Sequence, residues 1–323
     1  MVEALNRFFS STKVVIASMP AFLGLLPSVG GARFSAPIVE TACQDMTISR
    51  ESKAAINFWF RHVCEFASPI IPGMILGCAI AHIGVADLVV HLFWMSIVAF
   101  AAGWLVMIRP LKFEEKREKA ETPPEQRRAD MINVTLAIAP VLVSVFLMMA
   151  FNLSAAIAMG AVVVALIPVL AMMKRGVGIK DVFIGAFDWR LILNIGCILY
   201  FIQLLDSTGI LHQIITAFEG TSLPVPVIIA ATSFVIGILT GMSQGHVAIV
   251  MPIVAGLMPG SLELAGVAMV FGVAGQMITP THVCLTITID YFKSDFFKTL
   301  KPVLLAEAIV LATFSLWTWL TWV

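Results

Sequence analysis

The sequence predicts an all-α polytopic membrane protein made of inverted repeats, each with a re-entrant hairpin and a broken transmembrane helix. Three observations predict it. The first is composition: of 323 residues, 59% are hydrophobic and 12% charged, with a mean hydropathy of +0.97. Soluble domains carry about 25% charged residues. A soluble core cannot absorb that much apolar surface, which excludes a water-soluble enzyme. The second is a set of long apolar runs, near the roughly 20 residues a bilayer-crossing helix needs, several cut midway by Pro and Gly. The third is a one-sided distribution of Lys and Arg across the loops.

Residues 14–26 are apolar, the breakers Pro27-Ser28-Val29-Gly30-Gly31 follow, and 34–43 is mostly apolar again. Each arm is too short to cross, so a re-entrant hairpin with its tip at 27–33 is expected. Residues 54–84 form a long segment broken near Ala67-Ser68-Pro69, with Pro72-Gly73 beyond, and a whole span follows at 88–109. The charged stretch 110–130 reads as a soluble linker. Residues 131–173 divide at Phe151-Asn152-Leu153-Ser154 into two spans, and a third covers 190–205. A second hairpin is expected over 220–262, with its tip at Thr240-Gly241-Met242-Ser243-Gln244-Gly245-His246. Residues 263–292 break at Ile278-Thr279-Pro280-Thr281-His282, and the last span is 302–323. The order hairpin, broken helix, whole helix thus occurs twice. The division is 1–109 for the first repeat, 110–130 for the linker and 131–323 for the second repeat. Matching broken segments in two halves point to a secondary transporter with a site near the midplane.

With the linker in the cytoplasm, the outside loops near 85–87, 151–153, 206–224 and 258–262 hold no Lys or Arg, while the inside segments hold many. That asymmetry obeys the positive-inside rule and makes the two hairpins enter from opposite faces. Three spans precede the second hairpin and none the first. Symmetry therefore predicts about three further helices, roughly 80 residues, ahead of the first hairpin, unless that repeat has lost its scaffold. Cys43, Cys64, Cys78, Cys197 and Cys284 are odd in number and scattered, with no C-x-x-C or Cys/His ligand spacing, so neither a disulfide framework nor a zinc site is expected and packing roles are. No removable signal peptide is read. Net charge zero disfavours a nucleic-acid partner. H-E-x-x-H, Walker A and G-x-G-x-x-G are all absent.

Three stretches, Leu26-Pro-Ser-Val-Gly-Gly-Ala-Arg-Phe-Ser-Ala-Pro-Ile-Val-Glu40, Asn57-Phe-Trp-Phe-Arg-His62 and Thr279-Pro-Thr-His-Val-Cys-Leu285, resemble those of the domain of unknown function 401 membrane proteins. The resemblance runs over most of the chain from residue 14. It implies membership of the ion transporter superfamily alongside gluconate, citrate, dicarboxylate and arsenite carriers. It also implies hairpins meeting at a central site, a homodimer and elevator-like movement, but no substrate. Arg33 departs from the pattern, in which an apolar residue is expected.

Helix starts and hairpin tips expose backbone N–H groups that can hold an anion, and small or hydroxylated residues permit close approach. This singles out Ser28, Gly30, Gly31, Arg33 and Ser35 at one tip, and Ser243, Gln244, Gly245 and His246 at the other, as substrate-binding candidates. The alternative is that their Gly and Ser serve tight helix packing. At the helix breaks, Ser68, Pro69, Thr279, Pro280, Thr281 and His282 are candidates for ion coupling: Na⁺ on unwound carbonyls, or H⁺ on His282. A histidine bonded to a backbone carbonyl is the plainer alternative. Arg61 and Glu65, spaced i, i+4, are expected to pair, and Asp290 to pair with Lys293 or lie at the interface. Trp317, Trp319 and Trp322 read as an interfacial belt. Gly241-Met-Ser243-Gln-Gly245 matches G-x-S-x-G, but that elbow needs a preceding strand.

The functional expectation is therefore a non-enzymatic secondary carrier of a small, carboxylate-type anion in the cytoplasmic membrane, with no cofactor beyond a coupling Na⁺ or H⁺. The alternatives are a channel of the same architecture and a serine intramembrane hydrolase using Ser243 and His282.

Overall fold

Apolar runs that stop at Gly or Pro leave the backbone few options in a lipid environment: each arm folds as a helix and each breaker ends one. A computed structural model describes residues 11–25, 31–44, 46–112, 123–151, 153–175, 178, 180, 187 and 189–322. Helices α1 (Thr12–Gly24) and α2 (Ala32–Ala42) form the first hairpin; α3 (Arg50–His62) and α4 (Pro72–Ala81) form the first broken helix. α5 (Val85–Gly103) continues through a π-helical turn at Trp104–Ile108. α6 (Pro124–Phe151), α7 (Ala155–Met172), α8 (Trp189–Ser207) and α9 (Ile210–Glu219) follow. The second hairpin is α10 (Val225–Thr240) and α11 (Ser243–Leu257), the second broken helix α12 (Leu262–Met277) and α13 (Val283–Phe292), and the last span α14 (Phe296–Trp322). No strand occurs among the described residues.

Local chemistry sets the boundaries. Ser49, Ser154 and Ser261 cap α3, α7 and α12 by accepting the N–H of Ser52, Ile157 and Leu264. Pro72 opens α4, where a missing N–H costs nothing. Gly241, at φ 63, ends α10. α4 and α13 both end on a non-glycine residue in the left-handed region, His82 (φ 57) and Lys293 (φ 51).

The packing repeats with the sequence order. α1 lies on α3 as α10 lies on α12; α2 lies on α13 as α11 lies on α4; α3 meets α14 as α12 meets α5; and α5 packs on α14. Exchanging the two halves leaves this set unchanged, as a two-fold repeat requires. Both first hairpin arms approach their broken helix too closely for a side chain. A Cβ on Gly24 would lie 1.9 Å from the Arg61 carbonyl oxygen, and one on Gly237 2.2 Å from that of Gly272.

Four described helices are long and apolar enough to cross a membrane, or five if α8 and α9, bent by 68°, count as one broken span. The chain is a polytopic membrane protein. α6 to α9 present apolar side chains outward, among them Leu142, Phe146, Met172 and Tyr200, while the two repeats share one buried core.

The first break, over 63–71, contains the expected Ala67-Ser68-Pro69. Three details differ from expectation. α6 begins at Pro124 and takes up the last part of the expected linker, because Pro124 suits a first helical turn. The expected outside loop 206–224 contains α9, where Ile210, Leu211, Ile214 and Ile215 repeat at helical spacing after Gly209. Trp317 packs on Trp94 with ring centroids 5.0 Å apart, so it faces inward, whereas Trp319 is exposed.

Candidate functional site

Two adjoining regions bring the breaks and hairpins together. In the first, three helix starts converge. A Cβ on Gly73, in the first turn of α4, would lie 2.6 Å from Ser243 Cβ in the first turn of α11. One on Gly241 would lie 2.4 Å from Thr281 Oγ1 and 2.8 Å from the backbone nitrogen of His282, the residue capping α13. The tip of hairpin two is thus wedged between both helix breaks. It is narrower than expected: only Gly241 and Met242 are non-helical, and Ser243, Gln244, Gly245 and His246 form the first turn of α11. Met242 carbonyl accepts from the N–H of Gly245 and His246, while the Ser243 and Gln244 N–H groups have no acceptor among the described residues. Such starts carry partial positive charge and free donors.

His246 lies one turn along α11, fully buried, its ring against Gly272, and neither ring nitrogen has a hydrogen-bond partner. Ser243 is buried and forms no hydrogen bond to a histidine among the described residues, and its G-x-S-x-G setting is helix–turn–helix.

The second region joins the two broken helices. His62, the last residue of α3, and His282 face each other with Nε2 atoms 3.1 Å apart. Nδ1 of His62 donates to the Phe58 carbonyl at 2.7 Å, and Nδ1 of His282 to that of Gln276 at 3.1 Å. The Phe58 ring sits against both imidazoles. Gln276 Nε2 donates to Glu65 Oε2 at 2.9 Å, and Glu307 borders a small cavity with His62, Trp59 and Met277. Ionisable groups this deep are costly to charge unless paired or functional, so their clustering marks the site.

Arg61 and Glu65 each take a further partner. α3 ends at His62, so Glu65 lies past the helix end. Arg61 Nη1 donates to the Leu23 carbonyl at 3.0 Å, tying α3 to hairpin one. Ser68, buried beside Pro69, donates to the Leu25 carbonyl at 3.4 Å, so the first break also holds hairpin one. Thr279 and Thr281 share a hydroxyl hydrogen bond of 3.0 Å, and Pro280 is exposed.

At hairpin one, Ser28 and Gly30 lie outside the described residues. Gly31 is buried at the start of α2. Ser35 is buried, but its hydroxyl turns back to the Ala32 carbonyl of its own helix at 3.3 Å. Arg33 is exposed, as is its neighbour Phe34. Asp290 pairs with Lys293 at 2.7 Å on the surface.

Three residues outside the candidate set belong to the site's frame. Asn57, fully buried, donates to the Ala32 carbonyl and to Thr288 Oγ1, joining α3 to α2 and α13. Gln276 and Glu307 are the others. Each interrupts an apolar span, which is a signal readable in sequence.

A comparison with curated proteins finds no match. The family model described as protein of unknown function (DUF401) matches residues 1–321. With that match over nearly its whole length, the chain belongs to the DUF401 family.

Proposed function

We propose that the protein is a secondary carrier of a small anionic solute, moved across the cytoplasmic membrane by alternating access of an elevator type. One observation carries this reading: three helix starts, at Gly73, Ser243 and His282, meet where a re-entrant tip touches both helix breaks. Converging positive helix ends and free N–H donors suit a carboxylate, and the unpartnered His246 ring supplies one more donor. A coupling Na⁺ would take the freed carbonyls near Pro69 and Pro280. The outward apolar faces of α6–α9 would serve lipid and a second copy in a homodimer.

Reconstitution into liposomes tests the proposal, using a panel of labelled carboxylates and sugar acids at two pH values, with and without Na⁺. A carrier gives saturable uptake and counterflow of at least one anion; a channel gives uptake linear in concentration without counterflow. His246→Gln and Ser243→Ala are expected to raise the half-saturating concentration about tenfold, the equivalent of one lost hydrogen bond to a charged group. Absence of saturable uptake for every anion would overturn the reading.

A further inference from the structure

The two histidines that join the broken helices pose a problem in elementary hydrogen-bond chemistry. A carbonyl oxygen only accepts, so the Nδ1 atoms that face the Phe58 and Gln276 carbonyls must both carry the hydrogen. A neutral imidazole has one N–H, so both Nε2 atoms present bare lone pairs, and these point at each other across 3.1 Å. Two buried lone pairs at that distance repel unless an electron-pair acceptor lies between them.

We propose that His62, His282 and Cys284 bind a divalent first-row transition metal ion of the zinc type. Ligand atoms of all three residues lie within 4.8 Å of one another, and all three residues are buried. The separation of the two nitrogens is close to the roughly 3.3 Å that tetrahedral bonds of about 2.0–2.1 Å impose on a zinc-bound pair. Metal-bound histidines characteristically donate their other ring N–H to a backbone carbonyl or carboxylate, fixing tautomer and ring angle. Both rings are already held this way. Two imidazoles and a thiolate form a donor set suited to zinc, with the fourth position left to water or a solute oxygen.

Charge and sequence agree. On binding, a metal–sulfur bond forms as the Cys284 S–H bond breaks and its proton passes to solvent, leaving one net positive charge on the centre. Cys284 lies in the first turn of α13, which favours negative charge on its side chain, and His62 at the end of α3, which favours a cation. Glu307 borders the same cavity as His62 and offers a counter-charge. The triplet His62-Val63-Cys64 recurs as His282-Val283-Cys284, one copy from each half. Only one cysteine joins the cluster, because Cys64 Sγ turns to the Ala21 carbonyl of hairpin one at 3.6 Å.

The inference does not depend on transport and is tested without it. The full chain, purified in detergent, is stripped with chelator, loaded with zinc and separately with cobalt, and passed through a desalting column. Elemental analysis should find about one zinc per chain, as one three-residue site implies. The cobalt form should show a thiolate charge-transfer band and tetrahedral visible absorption. Cys284→Ser should abolish the charge-transfer band, and the pair His62→Gln/His282→Gln should abolish zinc retention. Cys64→Ser should change neither. Retention of no zinc by a wild-type chain that elutes as a folded, monodisperse species would overturn the proposal and leave a shared proton between the two rings. Retention unaffected by the histidine pair would also overturn it, placing the ion elsewhere.

Discussion

At the scale of single residues, the buried polar groups decide what the sequence reveals. Asn57 and Thr288, Glu65 and Gln276, and His62 and His282 lie more than 200 positions apart and meet only because the halves interlock. Nothing in local spacing announces these pairs; the i, i+4 spacing of Arg61 and Glu65 even points to a different one. Glu307 and Gln276 are legible as polar interruptions of apolar spans, whereas their partners are not. The Gln276–Glu65 hydrogen bond is expected to show a coupling of roughly 0.5–3 kcal/mol in a double-mutant cycle. Gln276→Leu alone should lower thermal stability in detergent, because it strands a carboxyl without its donor. The same change in a Glu65→Leu background should cost less. Additive effects would show that the bond contributes nothing.

At the scale of elements, breakers read well and boundaries less so. Gly241 and the cluster around Gly30 and Gly31 place both hairpins from sequence, and Pro280 places the second break. α9 is hidden in the sequence because a bend at Gly209 and a polar flank resemble a loop. The first break, over 63–71, is legible from Ser68-Pro69 within it, whereas its start at Val63 carries no breaker residue. The glycine contacts give a sharp expectation. Gly237→Ala puts a methyl 2.2 Å from the Gly272 carbonyl oxygen, and overpacking of this kind costs about 1–3 kcal/mol. A drop in melting temperature should follow, and Gly160→Ala, with nothing within 4 Å, should leave it unchanged or raise it. The matched left-handed ends at His82 and Lys293 predict the opposite sign. His82→Gly and Lys293→Gly relieve strain of about 1 kcal/mol and should each leave stability equal or higher; a clear loss would show that those side chains bind something.

At the scale of the whole molecule, charge asymmetry and the repeated order of elements made the two halves visible, and the exchange of packing partners between them follows from that order. The outer helices α6–α8 are legible only as apolar length, since helices apolar all round carry no periodic stripe to reveal which neighbour they meet. Opposite entry of the hairpins has a direct test. Phe34, just past the first tip, and Met242, in the second, are both exposed. In a background lacking the native cysteines, Phe34→Cys should react with a membrane-impermeant thiol reagent from the cytoplasmic side and Met242→Cys from the other. Labelling of both from one side would dismantle the inverted arrangement.

The shortness of the hairpin arms has an electrical consequence. Helices of 13 and 11 residues on one side, and 16 and 15 on the other, extend roughly 17–24 Å at 1.5 Å per residue. A hairpin entering from a membrane face would therefore stop inside a hydrocarbon layer of about 30 Å. Water following the polar backbone inward from either face would leave only a thin insulating septum between the tips. Most of the resting potential would then fall across that septum. A net charge carried past it would do work of up to about 2.3 kcal/mol per 100 mV over a path of only a few ångströms.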